Sequence, residues 1–315
     1  MSARRSDILR AVAAALVLAG AAQVAGAEGG SSSPAAIAAA DGAANPPAGA
    51  PLRVVSMNLC TDQLAMLLAA PGQLVSVSNL ATDPLSSSMV DRARDYVPNR
   101  GQAEQIFLMH PDLVLAGTYT ATATVDLLDR LGVRVVRVPP VASLADVADQ
   151  MRLVGRVLGR AAEGEAMARD FEAQVQALRI DLPPATAAMY YPNGYTTGAG
   201  TVADEILRLT GFRNVGAEAG LTGGGTLPLE RLVMAAPRMI VTSQPYPGAS
   251  RSEEILVHPA LRALQARAAS ATMSDADWVC GTPYMLRAIA AMAAARRALE
   301  PSARGDDPGP QGGAG

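Results

Sequence analysis

The stretch AEQIFLMHPDLVLAG at residues 103–117 has a counterpart in LERLVMAAPRMIVTS at residues 229–243. Both have a glutamate in second place, an apolar run, a proline seven residues after the glutamate and a β-prone ending. The spacing pairs Glu104 with Glu230 at an offset of 126 residues. Each stretch predicts a short helix that ends at the proline, followed by a buried strand. The match indicates that the chain contains two related halves.

The segments around both stretches alternate between strand-like and helix-like patterns. In the first half, RVVSM, LVSVS, LVLAG and VRVVRV predict strands, and amphipathic helical patterns separate them. In the second half, ATAAMYY and IVTS predict strands, and VADEILRLTG and HPALRALQA predict helices. Such alternation is typical of a parallel sheet covered by helices. The sequence therefore predicts an α/β fold with two lobes, at residues 51–142 and 183–300.

Residues 143–182 contain no proline and predict helices only. Apolar residues three and four positions apart indicate one amphipathic helix that ends at Gly159, and a second helix is predicted from Ala161 to about Arg179. A helix of that length would extend roughly 28 Å, about the width of a small domain. We therefore expect one long, rigid helix between the two lobes.

The ends of the chain differ in composition from the predicted lobes. Residues 1–27 combine early arginines, an apolar stretch and a small-x-small sequence, which predict a cleavable secretory signal peptide. The apolar stretch is shorter than the roughly 20 residues of a membrane span. An early pair of arginines leaves twin-arginine export open beside the general secretory route. Residues 28–50 and 301–315 have few large apolar side chains and are predicted to be a disordered linker and tail.

Composition and motifs argue against several other functions. The formal net charge is -3, and no segment mixes basic with aromatic side chains as a nucleic-acid-binding surface would. The sequence GAGTVA at residues 198–203 fits a loose dinucleotide-binding spacing, but PNG at residues 192–194 separates it from the preceding strand. Neither G-x-S-x-G nor H-E-x-x-H occurs. We predict no enzyme activity, and a dinucleotide-binding enzyme is the least favoured alternative.

Five segments of the chain have an order and spacing that are similar to those of a known protein family. They are RVVSMNLCTDQLAMLLA, GQAEQIFLMHPDLVLAG, LGVRVVRVPPVASLADVADQMRLVGRVLGR, LPLERLVMAAPRMIVTS and DWVCGTPYMLRAIAAM. Together they resemble the periplasmic binding proteins for vitamin B12 and ferric siderophores. The resemblance implies two α/β lobes joined by one long helix, with a metal chelate bound between them. It also implies a periplasmic monomer without a cofactor that serves an ABC importer. A sensory or scaffold protein with the same fold is the alternative, and the choice between corrinoid and siderophore stays open.

The resemblance also assigns a role to the repeated glutamates. In that family, the glutamate of each such motif lies on the outer surface of its lobe and pairs with arginines of one half of a dimeric permease. Glu104 and Glu230 are therefore expected to contact the permease, because a carboxylate and a guanidinium form orienting, bidentate contacts. The alternative is a local role as favourable charges in the first turn of a helix.

The ligand is expected at the carboxyl ends of the strands, where α/β sheets usually bind their ligands. Residues that follow RVVSM, LVLAG and IVTS satisfy this rule, and Tyr195 and Trp278 are added by the resemblance. Aromatic side chains with one polar end suit the broad faces of a corrin or siderophore chelate. The predicted ligand-binding residues are Asn58, Cys60, Thr118, Tyr119, Tyr195, Gln244, Tyr246, Trp278 and Cys280.

The two cysteines and two histidines raise separate questions. Exported proteins tend to pair their cysteines, but a bond between Cys60 and Cys280 would tie the two lobes together across the predicted site. A disulfide, free thiols and direct contact with the ligand or its metal all stay open. His110 and His258 are too few and too far apart for a bare-metal site, so we predict structural roles for both.

Overall fold

Two parallel sheets occupy the two halves of the chain in the computed structural model, which describes residues 48–244 and 250–300. The strands of the first half are β1 (Val54–Ser56), β2 (Leu74–Ser78), β3 (Val97–Asn99), β4 (Leu113–Gly117) and β5 (Val135–Val138). They pair in the order β3-β2-β1-β4-β5, and every pairing is parallel. The prediction of a first parallel lobe is confirmed.

The second half contains a parallel sheet and a small antiparallel ribbon. Its strands are β6 (Ala185–Met189), β7 (Tyr195–Thr197), β8 (Phe212–Asn214), β9 (Gly224–Thr226), β10 (Met239–Ser243) and β11 (Ala269–Met273). The sheet has the parallel order β11-β10-β6-β8, and β7 pairs with β9 in the ribbon. The sequence patterns did not predict β8 or β11. The small residues of β11 form a strand because all five pair in register with β10.

Helices cover both sheets. Those of the first half are α1 (Leu59–Leu68), α2 (Val90–Ala93), α3 (Ala103–Phe107) and α4 (Thr122–Arg130). Two helices, α5 (Leu144–Val157) and α6 (Ala161–Ala177), follow β5. Those of the second half are α7 (Val202–Leu209), α8 (Val215–Glu218), α9 (Leu229–Ala235), α10 (Pro259–Gln265), α11 (Asp275–Trp278) and α12 (Met285–Ala298). Short 3₁₀ turns lie at Asn79–Thr82, Pro192–Gly194 and Arg251–Val257.

The apolar core has three parts. The largest cluster contains buried residues of both sheets, of α1, α5, α6, α7 and α12, and therefore joins the two lobes. A second cluster packs α3 and α4 against the other face of the first sheet. A third packs α9 and α10 against the other face of the second sheet. The helices α3 and α9 therefore lie on the faces of the sheets that point away from the shared core.

The connection between the lobes is a pair of helices. A capping box between Ser143 and Asp146 begins α5, and α6 follows after a turn of three residues. The two helices pack closely, since a Cβ atom on Gly155 would lie 2.8 Å from the Cα atom of Gly164. The predicted second helix corresponds to α6, which ends at Ala177. The structure thus bears out the two lobes, whereas one long, rigid helix between them stays a prediction.

The internal repeat extends to the backbone. Both α3 and β4 correspond to α9 and β10 at the same offset of 126 residues. His110 and Ala236, which precede the two prolines, both adopt a left-handed conformation with φ angles of 49° and 42°. A positive φ is uncommon outside glycine, so its occurrence at equivalent positions supports a true structural repeat. The other histidine, His258, accepts a hydrogen bond from the Ala260 amide at the start of α10, which is a structural role.

The predicted segments at the ends of the chain fall mostly outside the description. The predicted signal peptide at residues 1–27 and tail at residues 301–315 are not described, and of the linker only residues 48–50 are. Within the described ranges, no helix combines the length and the apolar character that crossing a membrane requires.

Candidate ligand-binding cleft

A cavity of about 230 Å³ lies between the two lobes at the carboxyl ends of strands β1, β4 and β5. The first lobe lines it with Asn58, Cys60, Thr61 and residues 117–119 and 138–141. The helix α5 adds Gln150, and the second lobe adds Val202, Trp278, Val279 and Gly281. Among the described residues, none of these lining side chains carries a charge. The cavity therefore lies at the carboxyl ends of the strands, where the sequence analysis expects the ligand.

The first lobe places four of the predicted residues in the cavity lining, namely Asn58, Cys60, Thr118 and Tyr119. The Asn58 side chain begins α1, because its Oδ1 atom accepts a hydrogen bond of 3.0 Å from the Cys60 amide. Close packing holds the amide group in place, since a Cβ atom on Gly117 would lie only 3.0 Å from Asn58 Nδ2. Thr118 and Tyr119 follow β4, and Tyr119 projects with 88% of its surface exposed. The mouth of the cleft therefore combines an amide, a hydroxyl and a phenol.

The second lobe contributes an aromatic pair. Trp278 ends α11, and its ring centroid lies 6.0 Å from that of Tyr191. Tyr191 follows β6, two residues beyond its last member. Burial raises the pKa of the Tyr191 phenol well above its ordinary value, and Asp275 and Tyr195 raise it further. The Tyr191 phenol therefore stays protonated and neutral at physiological pH.

The two cysteines form a disulfide bond, which decides among the three alternatives. Cys60 lies in the first turn of α1, and Cys280 lies in the loop after α11, so the bond joins the two lobes beside the cavity. A second contact lies nearby, where the Ser88 hydroxyl donates a hydrogen bond of 2.5 Å to the Ala276 carbonyl. Disulfide-bonded sulfur is not a thiolate, so neither cysteine is a free metal ligand here. Cys60 still lines the cavity, whereas Cys280 is buried.

Gln150 is a cavity residue that the sequence analysis missed. Its side chain is only 5% exposed, and its Nε2 atom donates a hydrogen bond to the Pro139 carbonyl. A carbonyl can only accept, so the amide orientation is set and the Oε1 atom points the other way. That oxygen is buried and has no hydrogen-bond partner in the structure. It lies near Gly281, where a Cβ atom would be 3.1 Å from it.

Two other predicted residues, Tyr195 and Gln244, are not in the cavity lining, and a third is not described. Tyr195 lies in the β7–β9 ribbon, 48% exposed, and Gln244 is exposed after β10. Tyr246 lies outside the described residues. Ligand contact by these residues, and by the predicted residues that do line the cavity, stays a prediction. The glycines at residues 198–203 have a structural explanation, because a Cβ atom on Gly198 would lie 2.1 Å from the Leu221 carbonyl oxygen.

The two repeated glutamates lie away from the cavity. Glu104 is exposed in the first turn of α3, and Glu230 is exposed in the first turn of α9. Both helices pack on the faces of the sheets opposite the shared core. The two carboxylates therefore occupy equivalent outer positions, one on each lobe, and their contact with a permease stays a prediction.

Helix α1 carries a buried carboxyl group next in sequence to a residue of the cavity lining. Asp62 follows the lining residue Thr61 and accepts hydrogen bonds from the amide and hydroxyl of Ser78. Burial raises the pKa of Asp62 to about 6, although the hydrogen bonds from Ser56 and Ser78 act in the opposite direction. Across the described part of the chain, no group of three or more histidine, cysteine, aspartate or glutamate residues is placed to hold a metal ion.

Two lobes with a cleft at the carboxyl ends of their strands define a two-lobed binding protein. A family model described as a periplasmic binding protein matches residues 54–270. No curated protein sequence matches the chain. The chain belongs to the periplasmic binding protein family.

Solved structures of three similar proteins share the fold. The periplasmic heme-binding protein RhuT from Roseiflexus sp. RS-1 has 22% sequence identity and a TM-score of 0.65, with 78% of this chain and 98% of that chain covered. The vitamin B12 binding protein BtuF of Vibrio cholerae has 20% identity and a TM-score of 0.61, with 79% and 98% covered. The molybdate periplasmic binding protein MolA of Haemophilus influenzae has 19% identity and a TM-score of 0.61, with 81% and 87% covered.

The comparisons confirm the family resemblance and the predicted fold class. The family and the similar structures are substrate-binding transport proteins, so the prediction that the chain is not an enzyme is also confirmed. Family membership implies a periplasmic location.

Proposed function

We propose that this protein captures a metal chelate of the corrinoid or ferric siderophore type in the inter-lobe cleft and delivers it to an ABC importer. The observation that carries the proposal is the lining of the cleft by aromatic and neutral polar side chains, between two lobes of a transport-protein fold. Such a lining matches a ligand with broad apolar faces and a polar rim.

The uncharged lining favours a neutral corrinoid over a strongly anionic siderophore. A buried anion without a paired cation would lose its hydration without compensation. Asn58, Thr118 and Gln150 instead offer amide and hydroxyl groups, which can exchange hydrogen bonds with the amide substituents of a corrinoid. The cavity of about 230 Å³ is small for such a ligand. A corrinoid would therefore place one face on the cleft and leave the other at its open mouth.

Delivery to the importer is the second part of the proposal. The equivalent outer positions of Glu104 and Glu230 support their contact with arginines of the two permease subunits. The predicted signal peptide at residues 1–27 would direct the protein to the periplasm. There the protein would act as a monomer. A sensory or scaffold role on the same fold would need neither glutamate for uptake.

A titration of the purified mature protein tests the ligand. Trp278 is the only tryptophan and lines the cavity, so its fluorescence reports on binding there. We expect cyanocobalamin to quench it with a Kd of about 1 μM or below, equivalent to roughly -8 kcal/mol. Hemin, a ferric hydroxamate and molybdate serve as competing probes. A fluorescence response to hemin or the hydroxamate alone would identify that compound, and not a corrinoid, as the ligand. No fluorescence change with any of the four probes would reject the proposal that the cleft binds a metal chelate.

Uptake in cells tests delivery separately. We expect the Glu104→Gln, Glu230→Gln double variant to lose most uptake of the ligand while the purified variant binds it as the wild type does. Uptake at the wild-type rate would contradict the docking role of the glutamates and would favour the sensory or scaffold alternative.

A further inference from the structure

The two most exposed large aliphatic residues in the described part of the chain lie at equivalent positions of the two lobes. Met234 is 84% exposed and Leu108 is 72% exposed, whereas the next, Leu52, is 63% exposed. Their separation is the same 126 residues that relate Glu104 to Glu230. Single exposed apolar residues are ordinary on protein surfaces. A repeat of the two extreme cases at one offset needs a further reason.

The core does not supply that reason. Ala103 and Ile106 are the buried residues of α3, and the equivalent Leu229 and Leu232 are the buried residues of α9. Three-residue spacing on a short helix places one face against the sheet. The core-facing positions are thus filled, and a residue two positions beyond Ile106 or Leu232 is directed away from it. Polar residues would be expected there if these positions only faced water.

Each exposed aliphatic side chain belongs to a small patch. Leu108 lies four residues after Glu104, so one helical turn places both on the same side. Phe107 and the equivalent Val233 are also exposed, at 36% and 39%. We define the first docking patch as Glu104, Phe107 and Leu108, and the second docking patch as Glu230, Val233 and Met234. Each lobe therefore presents one carboxylate beside two apolar side chains.

We propose that the two docking patches contact the two subunits of a dimeric permease, with Leu108 and Met234 as the apolar anchors beside the glutamates. This inference rests on the proposed function. A monomer that repeats one patch on each lobe fits a partner with two-fold symmetry, because each subunit can receive one patch. A few fully buried anchor residues contribute most of the energy at protein interfaces, whereas rim charges mainly orient the partners.

Two other occupants fit the patches less well. A second copy of this chain, paired through equivalent patches, would bring glutamate against glutamate, and like charges in contact oppose association. A lipid surface would meet the carboxylates with its own negative potential. A partner that offers arginine beside an apolar surface satisfies both components of each patch.

The test measures binding of the full mature chain to its cognate permease–ATPase complex, reconstituted in nanodiscs. We expect Leu108→Ser and Met234→Ser each to weaken binding about tenfold, and the double variant about a hundredfold. The matched controls are Leu52→Ser and Val97→Ser, exposed aliphatic residues without an equivalent in the other lobe, which should change binding less than about twofold. All variants should keep the wild-type melting temperature and titration with cyanocobalamin.

Each contrary result has a distinct meaning. If the double variant binds the transporter as the wild type does, while Glu104→Gln with Glu230→Gln weakens binding, the apolar anchors are rejected and the proposed function stands. If the wild type does not bind the transporter at all, both proposals fail. If sedimentation shows a wild-type dimer that the double serine variant dissociates, the occupant is a second copy. Equal binding to empty nanodiscs that the double variant loses would identify lipid, and either finding overturns the inference.

Discussion

The outer surfaces of the two lobes resemble each other, whereas their contributions to the cleft do not. On the outside, α3 and β4 begin at positions equivalent to those of α9 and β10. The equivalence includes the exposed glutamates and a left-handed residue before each proline. In the cleft, the first lobe supplies strand ends and the beginning of α1. The second lobe supplies the end of α11 with the loop that follows it, and the beginning of α7.

The proposed function explains this difference by two kinds of partner. A two-fold symmetric permease would select for the same surface on both lobes. A chelate has no such symmetry, so each side of the cleft can differ. One chain can combine a repeated outer surface with an asymmetric cleft because the large core holds the two lobes together. The outer surfaces of the helices on the far side of each lobe take no part in that core.

The largest expected effect on stability concerns the disulfide, which lies beside the cleft and not on the repeated outer surfaces. The bond joins residues 220 positions apart. Closure of so long a loop restricts the unfolded chain and should stabilise the folded state by about 5 kcal/mol. We expect reduction to lower the urea midpoint of the wild type and also to free the two lobes to separate at the cleft.

The control for this prediction is the Cys60→Ser, Cys280→Ser variant. It should have the stability of the reduced wild type and should not respond to reductant. A wild type whose thiols react as free groups before any reduction would contradict the bond itself and would leave the lobes joined by the core alone.

The next effect concerns the helix pair that connects the matched halves. Gly155→Ala should destabilise the protein by about 3 kcal/mol, because the added Cβ atom would lie 2.8 Å from both the Gly164 Cα atom and the Arg160 carbonyl oxygen. Urea unfolding measures the loss. The exposed Ala173→Ser on α6 should cost less than about 1 kcal/mol. Equal costs would show that α5 and α6 do not pack closely in solution.

A smaller, pH-dependent effect concerns Asp62, which has no counterpart on the outer surfaces. Burial raises its pKa from 3.8 to about 6 in the folded state. The folded state therefore binds more protons than the unfolded state between these values, so the free energy of unfolding falls as pH rises from about 4 to 6. A pKa difference of this size corresponds to at most about 3 kcal/mol.

The Asp62→Asn variant removes that titration. We expect its free energy of unfolding to be less dependent on pH between about 4 and 6 than that of the wild type. The exposed Asp129→Asn serves as the control and should retain the wild-type slope. A wild type whose stability rises over this range would show that other carboxyl groups dominate.

The smallest expected effect is on ligand affinity, and it tests the cleft independently of the outer surfaces. Gln150→Leu removes the unpartnered Oε1 atom and should weaken binding of cyanocobalamin about tenfold, equivalent to roughly 1.4 kcal/mol. Binding to the transporter should not change, because Gln150 lies in the cleft. The exposed Gln176→Leu on α6 should alter neither property. Unchanged ligand affinity in Gln150→Leu would mean that the oxygen meets water instead.

Local sequence patterns predicted most of the elements but not their edges. Runs of β-branched residues indicated β1, β2, β4 and β5, and helical periodicity indicated α5 and α6. The strand predicted at ATAAMYY was two residues too long, because β6 ends at Met189. That error hid Tyr191, which the rule on carboxyl ends would otherwise have selected for the cleft. Edge strands such as β8 depend on pairing with a neighbour more than on their own residues.

The cleft could be predicted only in part. Asn58, Thr118 and Tyr119 follow strands directly, so their place in the chain was sufficient. Gln150 gave one weak signal, because it is a polar residue beside the apolar stripe of α5. Its orientation depends on a hydrogen bond to the Pro139 carbonyl, which the helical periodicity of α5 does not reveal. Tyr195 was predicted from the family resemblance and not from a strand end, and the structure places it in the β7–β9 ribbon.

The sequence by itself determined the repeat, the α/β alternation and the family, because these depend on residues close together in the chain or on their order. The tertiary structure decided the disulfide across the cleft, the free oxygen of Gln150 and the outward direction of Leu108 and Met234. Those features depend on which distant segments pack together, and packing is set by the whole core at once.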